Sequence, residues 1–214
     1  MYVRQVDDQK LTLQVSGKLW MRSLVMRDTE TKTEWAHLPG RGMAGPLKDR
    51  KLKPLITDMV TWKAWRDAYP ETTVLNMPPV TSQFTRSYYR APQKFVFGFE
   101  VDGQSWALPM PRMQQHSVHN FTIGQRALVA AFDRDGAGTH LYEAKVHDRI
   151  LTFAPQDDVT MTDQQTGSTW SVRDGRCLSG ALRGEALVPR VGIMSFRLAW
   201  KNFHPDSQDV DFPQ

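Results

Sequence analysis

The sequence predicts a mainly β protein of the α+β class, in which two related β-rich repeat lobes each carry one short amphipathic helix. Three observations support this prediction: the chain repeats itself, its apolar residues fall mostly in short strand-like runs, and each copy of the repeat contains one helical pattern. A chain of 214 residues leaves room for one large domain or two small ones, at roughly 100–200 residues per domain. Its 40% apolar and 23% charged residues are typical of a globular protein and exclude disordered and collagen-like classes.

The internal repeat is defined by a constant spacing of 135 residues, as between Trp35 and Trp170 (170 − 35). This spacing holds without a gap across residues 26–75 and 161–210. Further upstream the spacing becomes 140, so the first copy contains five extra residues (140 − 135), around positions 16–20. The matched pairs include Met26 and Met161, Asp28 and Asp163, Thr31 and Thr166, Gly40 and Gly175, Gly45 and Gly180, Leu52 and Leu187, Pro54 and Pro189, and Pro70 and Pro205; Leu11 and Leu151 match upstream.

Each copy of the repeat begins with predicted strands. Residues 11–15 alternate between apolar and polar side chains, as a half-buried strand does. A second strand at 24–26 leads into a turn at 28–31, and the corresponding turn at 163–167 ends in a glycine that is suited to a positive φ. The third strand carries Trp35 or Trp170, and it is followed by a Gly-Arg turn and a short strand that ends at Pro54 or Pro189.

The repeat ends in a predicted helix, at residues 61–69 in the first copy and 195–204 in the second. Thr61 and Ser195 have side chains that suit an N-cap. A proline directly after each helix disfavours its continuation.

The aromatic residues of the first helix predict a buried face. Trp62, Trp65 and Tyr69 follow an i, i+3, i+7 spacing, which places them on one side of a helix. We therefore expect Trp65 and Trp200 to occupy equivalent buried positions. The tryptophans are interpreted as core residues rather than as a binding platform.

The segment between the two copies contains a linker and a hairpin. Residues 76–94 include Pro78-Pro79 and many Ser, Thr and Tyr residues, which is typical of a linker. Two β-rich runs around Asp102-Gly103, at 95–101 and 104–108, predict a β-hairpin. A short helix from Pro111 to Gln115 and a buried strand at 126–132 are expected next. We divide the chain into a first repeat module, 1–75, that lacks its N-terminal half, the linker, and a second, complete repeat module, 95–214.

The charge distribution gives little support for a nucleic-acid partner. The net charge is +4, and the basic excess lies in the first third of the chain, mostly around Lys48, Arg50, Lys51 and Lys53. A nucleic-acid surface usually has a broader basic stripe with aromatic residues for stacking. We consider nucleic-acid binding unlikely and interpret these residues as a solvated edge.

Neither a membrane span nor a signal peptide is predicted. The longest apolar run, residues 127–132, is far below the roughly 18–20 residues that a membrane span needs. The first eight residues have no apolar segment of the signal-peptide type. The sequence as it stands predicts a cytoplasmic protein, and export becomes an option if the true N-terminus lies upstream.

Two motifs match known sites only formally, so no cofactor is predicted. Residues 40–45 fit the G-x-G-x-x-G pattern, but Pro39 and Pro46 flank it and no helix follows directly, as a dinucleotide site requires. Residues 133–138 resemble the start of a calcium loop, but Ala144 stands where that loop needs a glutamate. Both segments are interpreted as turns.

The polar cluster at residues 116–120 supplies the candidate binding residues, His116, His119 and Asn120. Two histidines three residues apart share one face of a helix and can bind a metal, but no third ligand is close in sequence, so no metal site is predicted. On a strand they point to opposite faces. A structural or surface role for the pair is the favoured interpretation. The single Cys177 excludes an internal disulfide and gives no support for a cysteine nucleophile.

The residue pattern resembles a prokaryotic family of uncharacterised function, domain of unknown function 3179. In the first repeat the resemblance is carried by Ser16-Gly17-Lys18-Leu19, Leu24-Val25-Met26, Trp35, Ala44-Gly45-Pro46-Leu47, Thr61-Trp62, Trp65 and Pro70. In the middle of the chain it is carried by residues 98–103, Ala107, Pro109, His116, Val118, Asn120 and Gly124. The family has Ala-Tyr-Pro where this chain has Ala107-Leu108-Pro109, and it has a glycine pair where this chain has Gly124-Gln125.

The resemblance implies a further module that this chain lacks. In the family a hairpin–His–Asn module comes first, followed by a Cys-Pro-Leu-Cys motif, in which some members carry selenocysteine, and then by the Ser-Gly-Lys-Leu module. The chain is thus expected to start at an internal Met. The resemblance also implies the first hypothesis for function: this chain is the scaffold of a thiol or selenol redox protein, or of a metal-binding protein.

The alternative hypothesis is a non-enzymatic binding or structural protein. In that case the sheet surface or the His116/Asn120 region holds a partner. The sequence leaves open whether the protein is an enzyme. If a packed module is absent, an exposed apolar patch that promotes self-association is expected.

Overall fold

The computed structural model describes residues 1–74 and 91–213. This part of the chain is mainly β, as predicted, with three short α-helices and a single 3₁₀ turn at Pro92–Lys94. The helices are α1 (Trp62–Ala68), α2 (Met110–Gln115) and α3 (Arg197–Phe203). The strands are β1 (Gln5–Val6), β2 (Gln9–Lys10), β3 (Leu13–Trp20), β4 (Ser23–Asp28), β5 (Glu34–Ala36), β6 (Arg41–Ala44), β7 (Phe95–Val101), β8 (Gln104–Pro109), β9 (Val118–Ile123), β10 (Arg126–Asp133), β11 (Gly138–Glu143), β12 (Lys145–Val146), β13 (Arg149–Ile150), β14 (Phe153–Pro155), β15 (Thr160–Asp163), β16 (Thr169–Ser171), β17 (Cys177–Ser179), β18 (Gly192–Phe196) and β19 (Gln208–Asp209).

The two lobes contain the same antiparallel sheet, which confirms the predicted repeat. In the first lobe the strand order is β3-β4-β5-β6, and in the second it is β14-β15-β16-β17. Equivalent residues pair in the same register, Met26 with Trp35 and Met161 with Trp170. A two-stranded ribbon precedes each sheet, β1-β2 in the first lobe and β12-β13 in the second.

The second lobe also packs against two further sheets, which are formed by residues 95–143 and two late strands. The predicted hairpin β7-β8 is extended by β18 on one side and by the parallel strand β19 on the other. Strands β9, β10 and β11 form a three-stranded antiparallel sheet. The predicted turn at 133–138 joins β10 to β11. Helix α2 joins β8 to β9, and its side chains Met110 and Met113 are buried.

The apolar cores of the two lobes are built from equivalent residues but differ in completeness. The first core centres on Val6, Leu11, Trp35 and Leu52. The second contains their counterparts Val146, Leu151, Trp170 and Leu187, together with Val129 and Ala131 of β10 and six further buried residues. In the described part of the chain no strand takes the place of β10 against the first core. Met26 is accordingly only partly buried, whereas Met161 has no exposed surface.

A buried carboxylate anchors the tryptophan of each repeat. The Trp35 indole Nε1 donates to Asp28 Oδ2 at 2.9 Å, and the Trp170 indole donates to Asp163 Oδ2 at the same distance. Thr31 and Thr166 donate their hydroxyls to the same two carboxylates, at 2.9 Å and 2.8 Å. Both tryptophans have no exposed surface, so the spacing of 135 residues reflects a repeated core motif.

The repeated glycines at 40 and 175 make room for a tyrosine ring. A Cβ atom at Gly40 would lie 2.5 Å from the ring of Tyr2, and one at Gly175 would lie 2.7 Å from the ring of Tyr142. Both glycines also have a positive φ, 61° and 67°, which side chains disfavour. The formal dinucleotide pattern therefore has a packing cause, and the residues directly after Gly40 form strand β6 rather than continuing the predicted turn.

The predicted helices are present, but two details of their prediction were wrong. Thr61 is the N-cap of α1, and its hydroxyl accepts a bond from the Ala64 amide at 3.2 Å. Ser195 does not cap α3: it is the fourth residue of β18, and Phe196 occupies the cap position without a side-chain bond. The predicted burial of the aromatic face of α1 was also wrong, as described below. The predicted linker lies largely outside the described residues, and the module boundaries stay a prediction.

Candidate functional site

The predicted cluster at residues 116–120 runs from His116, the C-cap of α2, into β9, where His119 and Asn120 lie on opposite faces of the strand. Asn120 bonds the backbone of Phe153 twice: its Nδ2 donates to the carbonyl at 2.7 Å, and its Oδ1 accepts from the amide at 2.8 Å. The neighbouring His119 points the other way, as alternation along a strand requires. Its Nε2 lies 2.8 Å from the carbonyl oxygen of Asp211. Asn120 thus fastens β14 to β9, and His119 fastens the C-terminal segment.

Both histidines contact the ring of Phe212. The His119 ring stacks on Phe212 with centroids 4.1 Å apart, and the His116 ring lies 5.9 Å from the same residue. Burial lowers the pKa of His119, with smaller contributions from the charges of His116 and Arg112, although the bond to the Asp211 carbonyl opposes this change. The neutral imidazole is therefore favoured, which suits stacking. Among residues 1–74 and 91–213, no group of three His, Cys, Asp or Glu side chains has a geometry that could hold a metal ion.

The single cysteine, Cys177, is a core residue of the second repeat. It is buried on β17, and its Sγ donates to the carbonyl of Ser179 at 3.3 Å. Burial raises the pKa of the thiol above its ordinary value. Because the thiolate is the reactive form, this cysteine is a poor nucleophile at neutral pH.

A polar cavity of about 220 Å³ lies between the two lobes and was not predicted from the sequence. Its wall includes Asp58 and His140, whose Oδ1 and Nδ1 atoms are 3.3 Å apart, and Arg173. The bond from His140 lowers the pKa of Asp58, and burial opposes it. Arg173 is held by Asp133 through two bonds of 2.9 Å and 2.7 Å.

The Asp–His pair of this cavity does not present a catalytic base. The Nε2 atom of His140 is buried and has no hydrogen-bond partner among the residues that the structure describes. It lies beside Gly138, 3.3 Å from the position that a Cβ atom would take there. A substrate therefore cannot reach the nitrogen that the Asp58 carboxylate would activate. The pair instead holds the segment before α1 against the second lobe, where the Thr61 amide donates to Gly136.

The surface that distinguishes the first repeat is the aromatic side of α1, which we call the α1 face and define as Trp62, Trp65 and Tyr69. These side chains are 49%, 37% and 54% exposed. Ala64 is the one buried residue of the helix. In contrast, Trp200 of α3 is only 3% exposed, although it occupies the position equivalent to Trp65.

The local geometry of the two tryptophans is nevertheless the same. Trp65 Nε1 donates to Thr72 Oγ1 at 3.0 Å, and Trp200 Nε1 donates to Ser207 Oγ at 2.8 Å. Each indole packs against the ring four residues later, at a centroid distance of 4.5 Å and an interplanar angle of 40° for Tyr69, and of 3.9 Å and 27° for His204. The two indoles therefore have equivalent local contacts, and the difference in burial comes from what packs against them.

The partner of the Trp200 indole is a glycine in hairpin β7-β8. A Cβ atom at Gly98 would lie 2.5 Å from the indole, so only glycine permits this approach. Strand β18, which leads into α3, pairs with β7 over five residues. The equivalent residues before α1, 57–61, form no strand in the described structure. The first repeat thus contains the helix and its indole, and the described residues supply no hairpin that covers them.

A family model described as "Protein of unknown function (DUF3179)" matches residues 1–94 and, a second time, residues 85–207. The double match agrees with the two repeat lobes. No curated protein and no solved structure matches the chain. No helix in the described residues is long and apolar enough to cross a membrane.

Proposed function

Since the chain belongs to the DUF3179 family, and its first repeat is open where its second is closed, we propose that it is a scaffold that binds a β-hairpin module. The bound module is of the kind that already covers the second repeat. The observation that carries this proposal is the contrast between Trp65, 37% exposed, and Trp200, 3% exposed, at equivalent positions.

The first part of the binding surface is the α1 face. An exposed tryptophan that is held by a hydrogen bond and by contact with a neighbouring ring has already lost side-chain freedom, so docking costs less entropy. By analogy with Gly98 against Trp200, the bound hairpin places a glycine against Trp65. Residues 57–61 then provide the strand that pairs with the hairpin, as β18 pairs with β7.

The second part of the binding surface is the uncovered end of the first core. In the second lobe the edge backbone of residues 141–143 pairs with residues 188–190 on one side and with β10 on the other. In the first lobe residues 1–3 take the place of residues 141–143. They pair with residues 53–55 in the same way, because the Val3 amide donates to the Lys53 carbonyl and the Leu55 amide donates to the Met1 carbonyl. A strand equivalent to β10 completes this core and buries Met26.

The chemistry of the assembled protein belongs to the bound module in this proposal. The family resemblance implies a Cys-x-x-Cys or Cys-x-x-Sec pair there, which is suited to thiol or selenol redox chemistry or to binding a soft metal. Cys177 is unsuited to that role because it is buried and its pKa is raised. The chain described here would hold and orient the reactive pair.

The alternative is a binding or structural protein without catalytic chemistry. It is favoured by the second module, where His119 and Asn120 are both engaged in bonds to the backbone. The two functions differ in one measurement. If redox activity or metal retention appears when a Cys-bearing hairpin module is joined to the chain, the scaffold of a redox or metal protein is supported. If the assembled protein binds the module and stays inert, the structural function is supported.

Docking of a hairpin on the α1 face can be tested with a cyclised peptide of residues 92–110, which contains β7-β8. We expect it to slow amide hydrogen exchange in residues 57–68 in a saturable manner. The matched control is the same peptide with Gly98→Leu, which we expect not to bind because the new side chain occupies the space of the indole.

Two results would contradict the docking proposal. One is that both peptides slow exchange equally, and the other is that the unchanged peptide has no effect. A dimer in which the β7-β8 hairpin of one chain occupies the α1 face of another would confirm the α1 face as a binding surface. The partner would then be a second copy of the chain and not a separate module. Sedimentation velocity over a range of concentrations distinguishes that dimer from a monomer.

A further inference from the structure

The extended β3-β4 hairpin of the first repeat forms a second exposed apolar surface together with α3. Strand β3 has eight residues, whereas its counterpart β14 has three. The extension carries Leu19, Trp20 and Met21, which are 75%, 40% and 42% exposed. It is the part of the first repeat that lacks an equivalent in the second.

The tip of this hairpin lies along α3. The Trp20 ring contacts the Phe203 ring with centroids 5.1 Å apart, and Asn202 donates to the Met21 carbonyl at 3.5 Å. On the adjacent surface Phe196 and Leu198 are 48% and 54% exposed. Arg22 at the tip lines the same groove as Phe196 and Leu198. We call these neighbouring apolar residues of the tip and of α3 the tip–α3 surface.

Cationic side chains surround the tip–α3 surface. A groove of about 630 Å³ beside it is lined by Arg22, Lys94, Arg197 and Lys201, and no acidic residue is part of its wall in the described structure. Arg197 is paired with Asp209, and Lys201 donates to the Ser207 carbonyl. Arg22 and Lys94 form no ion pair with a described residue. The surface thus combines apolar side chains with free positive charge.

The two residues of the turn at the tip have strained backbone conformations, so they are not the residues that would give the most stable turn. Met21 and Arg22 both have a positive φ, 47° and 64°. A two-residue hairpin turn of this kind strongly prefers Asn-Gly, because both positions are left-handed. The sequence instead places an exposed apolar residue and an unpaired cation there.

We propose that the tip–α3 surface binds the headgroup region of an anionic lipid bilayer. Tryptophan and apolar side chains bordered by Lys and Arg are typical of proteins that lie at a membrane interface. The most exposed of these apolar residues, Leu19, lies at the end of a hairpin, where it can enter the bilayer interface without a partner of matching shape. The free cations match a surface that carries negative lipids. This binding is peripheral and independent of the α1 face.

Vesicle flotation with the complete chain tests the proposal. We expect binding to vesicles that contain phosphatidylglycerol and much weaker binding to vesicles of phosphatidylcholine alone. Arg22→Glu should weaken binding by at least about five-fold, since one cation near an anionic surface contributes about that factor. Leu19→Ser should also weaken it. The matched controls are Arg149→Glu and Leu178→Ser, which alter exposed residues of the second repeat and should leave binding unchanged.

A further variant separates binding from folding. Met21→Asn combined with Arg22→Gly should raise the melting temperature, because it suits the turn, and at the same time reduce vesicle binding. The proposal is overturned if the unchanged chain does not bind anionic vesicles, or if Leu19→Ser and Leu178→Ser behave alike. It is also overturned in favour of a protein partner if an acidic amphipathic peptide binds the tip–α3 surface and vesicles do not.

Discussion

The two repeats have the same buried motif and the same helix, but only the second helix is covered. Asp28 and Trp35 match Asp163 and Trp170 in distance and in burial. Trp65 and Trp200 match in their local contacts and differ in exposure, 37% against 3%. The comparison teaches that the local contacts of each indole come from residues of its own repeat. The burial of the Trp200 indole depends in addition on a separate sheet, which contains Gly98.

The largest expected effect is a difference between the two helix tryptophans. Trp200→Ala should lower the free energy of unfolding by about 3–5 kcal/mol, because a buried tryptophan leaves a large cavity. Trp65→Ala should lower it by about 1 kcal/mol or less, since the side chain is already 37% exposed. Denaturant unfolding of both variants measures the two values. Equal losses in the monomer would mean that another part of the same chain covers the α1 face, and the proposed binding surface would then be wrong.

The next effect tests the part of the repeat that is the same in both lobes. Burial of Asp28 and Asp163 raises the pKa of each carboxyl, but hydrogen bonds from the tryptophan, the threonine and the backbone outweigh it and lower the pKa. A lowered pKa in the folded state means that stability is complete above the unfolded pKa of about 4 and is lost as the pH falls through the folded value. We therefore expect the free energy of unfolding to decrease in acid.

Asparagine substitutions show how much of this acid dependence belongs to each repeat. Asp28→Asn and Asp163→Asn should each cost about 2–3 kcal/mol at neutral pH, because buried hydrogen bonds to a charged group are lost. Each should also make the unfolding free energy less dependent on pH below about 4. Asp8→Asn, at an exposed side chain, is the control. If only one of the two buried sites responds, the repeats are not energetically equivalent despite their matching geometry.

The sequence predicted the features that are set by local pattern or by the repeat itself. The hairpin predicted at 95–108 followed from its turn, and the structure forms it from strands 95–101 and 104–109. The equivalence of Trp35 and Trp170 as core residues followed from the spacing of the repeat. The exposure of Trp65 could not be predicted, because periodicity identifies an apolar face without showing whether anything packs on it. The contact of Asp58 with His140 was missed for a related reason: it joins residues 82 positions apart (140 − 58) that share no motif.

The candidate residues at 116–120 show the same limit at the level of the site. Histidine and asparagine indicated polar chemistry. In the structure His119 hydrogen-bonds a backbone carbonyl, and Asn120 hydrogen-bonds a backbone carbonyl and a backbone amide. The sequence shows which polar side chains this segment carries. It does not show that their hydrogen-bond partners are Phe153 of β14 and Asp211 of the C-terminal segment. Whether His116, His119 and Asn120 bind a ligand stays a prediction.

The smallest expected effect concerns the starts of the two helices. Thr61 caps α1 through a bond from the Ala64 amide, so Thr61→Ala should cost about 0.5–1 kcal/mol. The matched change in the second repeat, Ser195→Ala, should cost about 0.5 kcal/mol or less, because Ser195 belongs to β18 and bonds only the Phe196 carbonyl in place of a cap. Urea unfolding at neutral pH measures both. A helix that is covered by a hairpin tolerates a poor cap, whereas an uncovered helix depends on its own cap. If Ser195→Ala proves the more costly change, the starts of the two helices do not differ in this way.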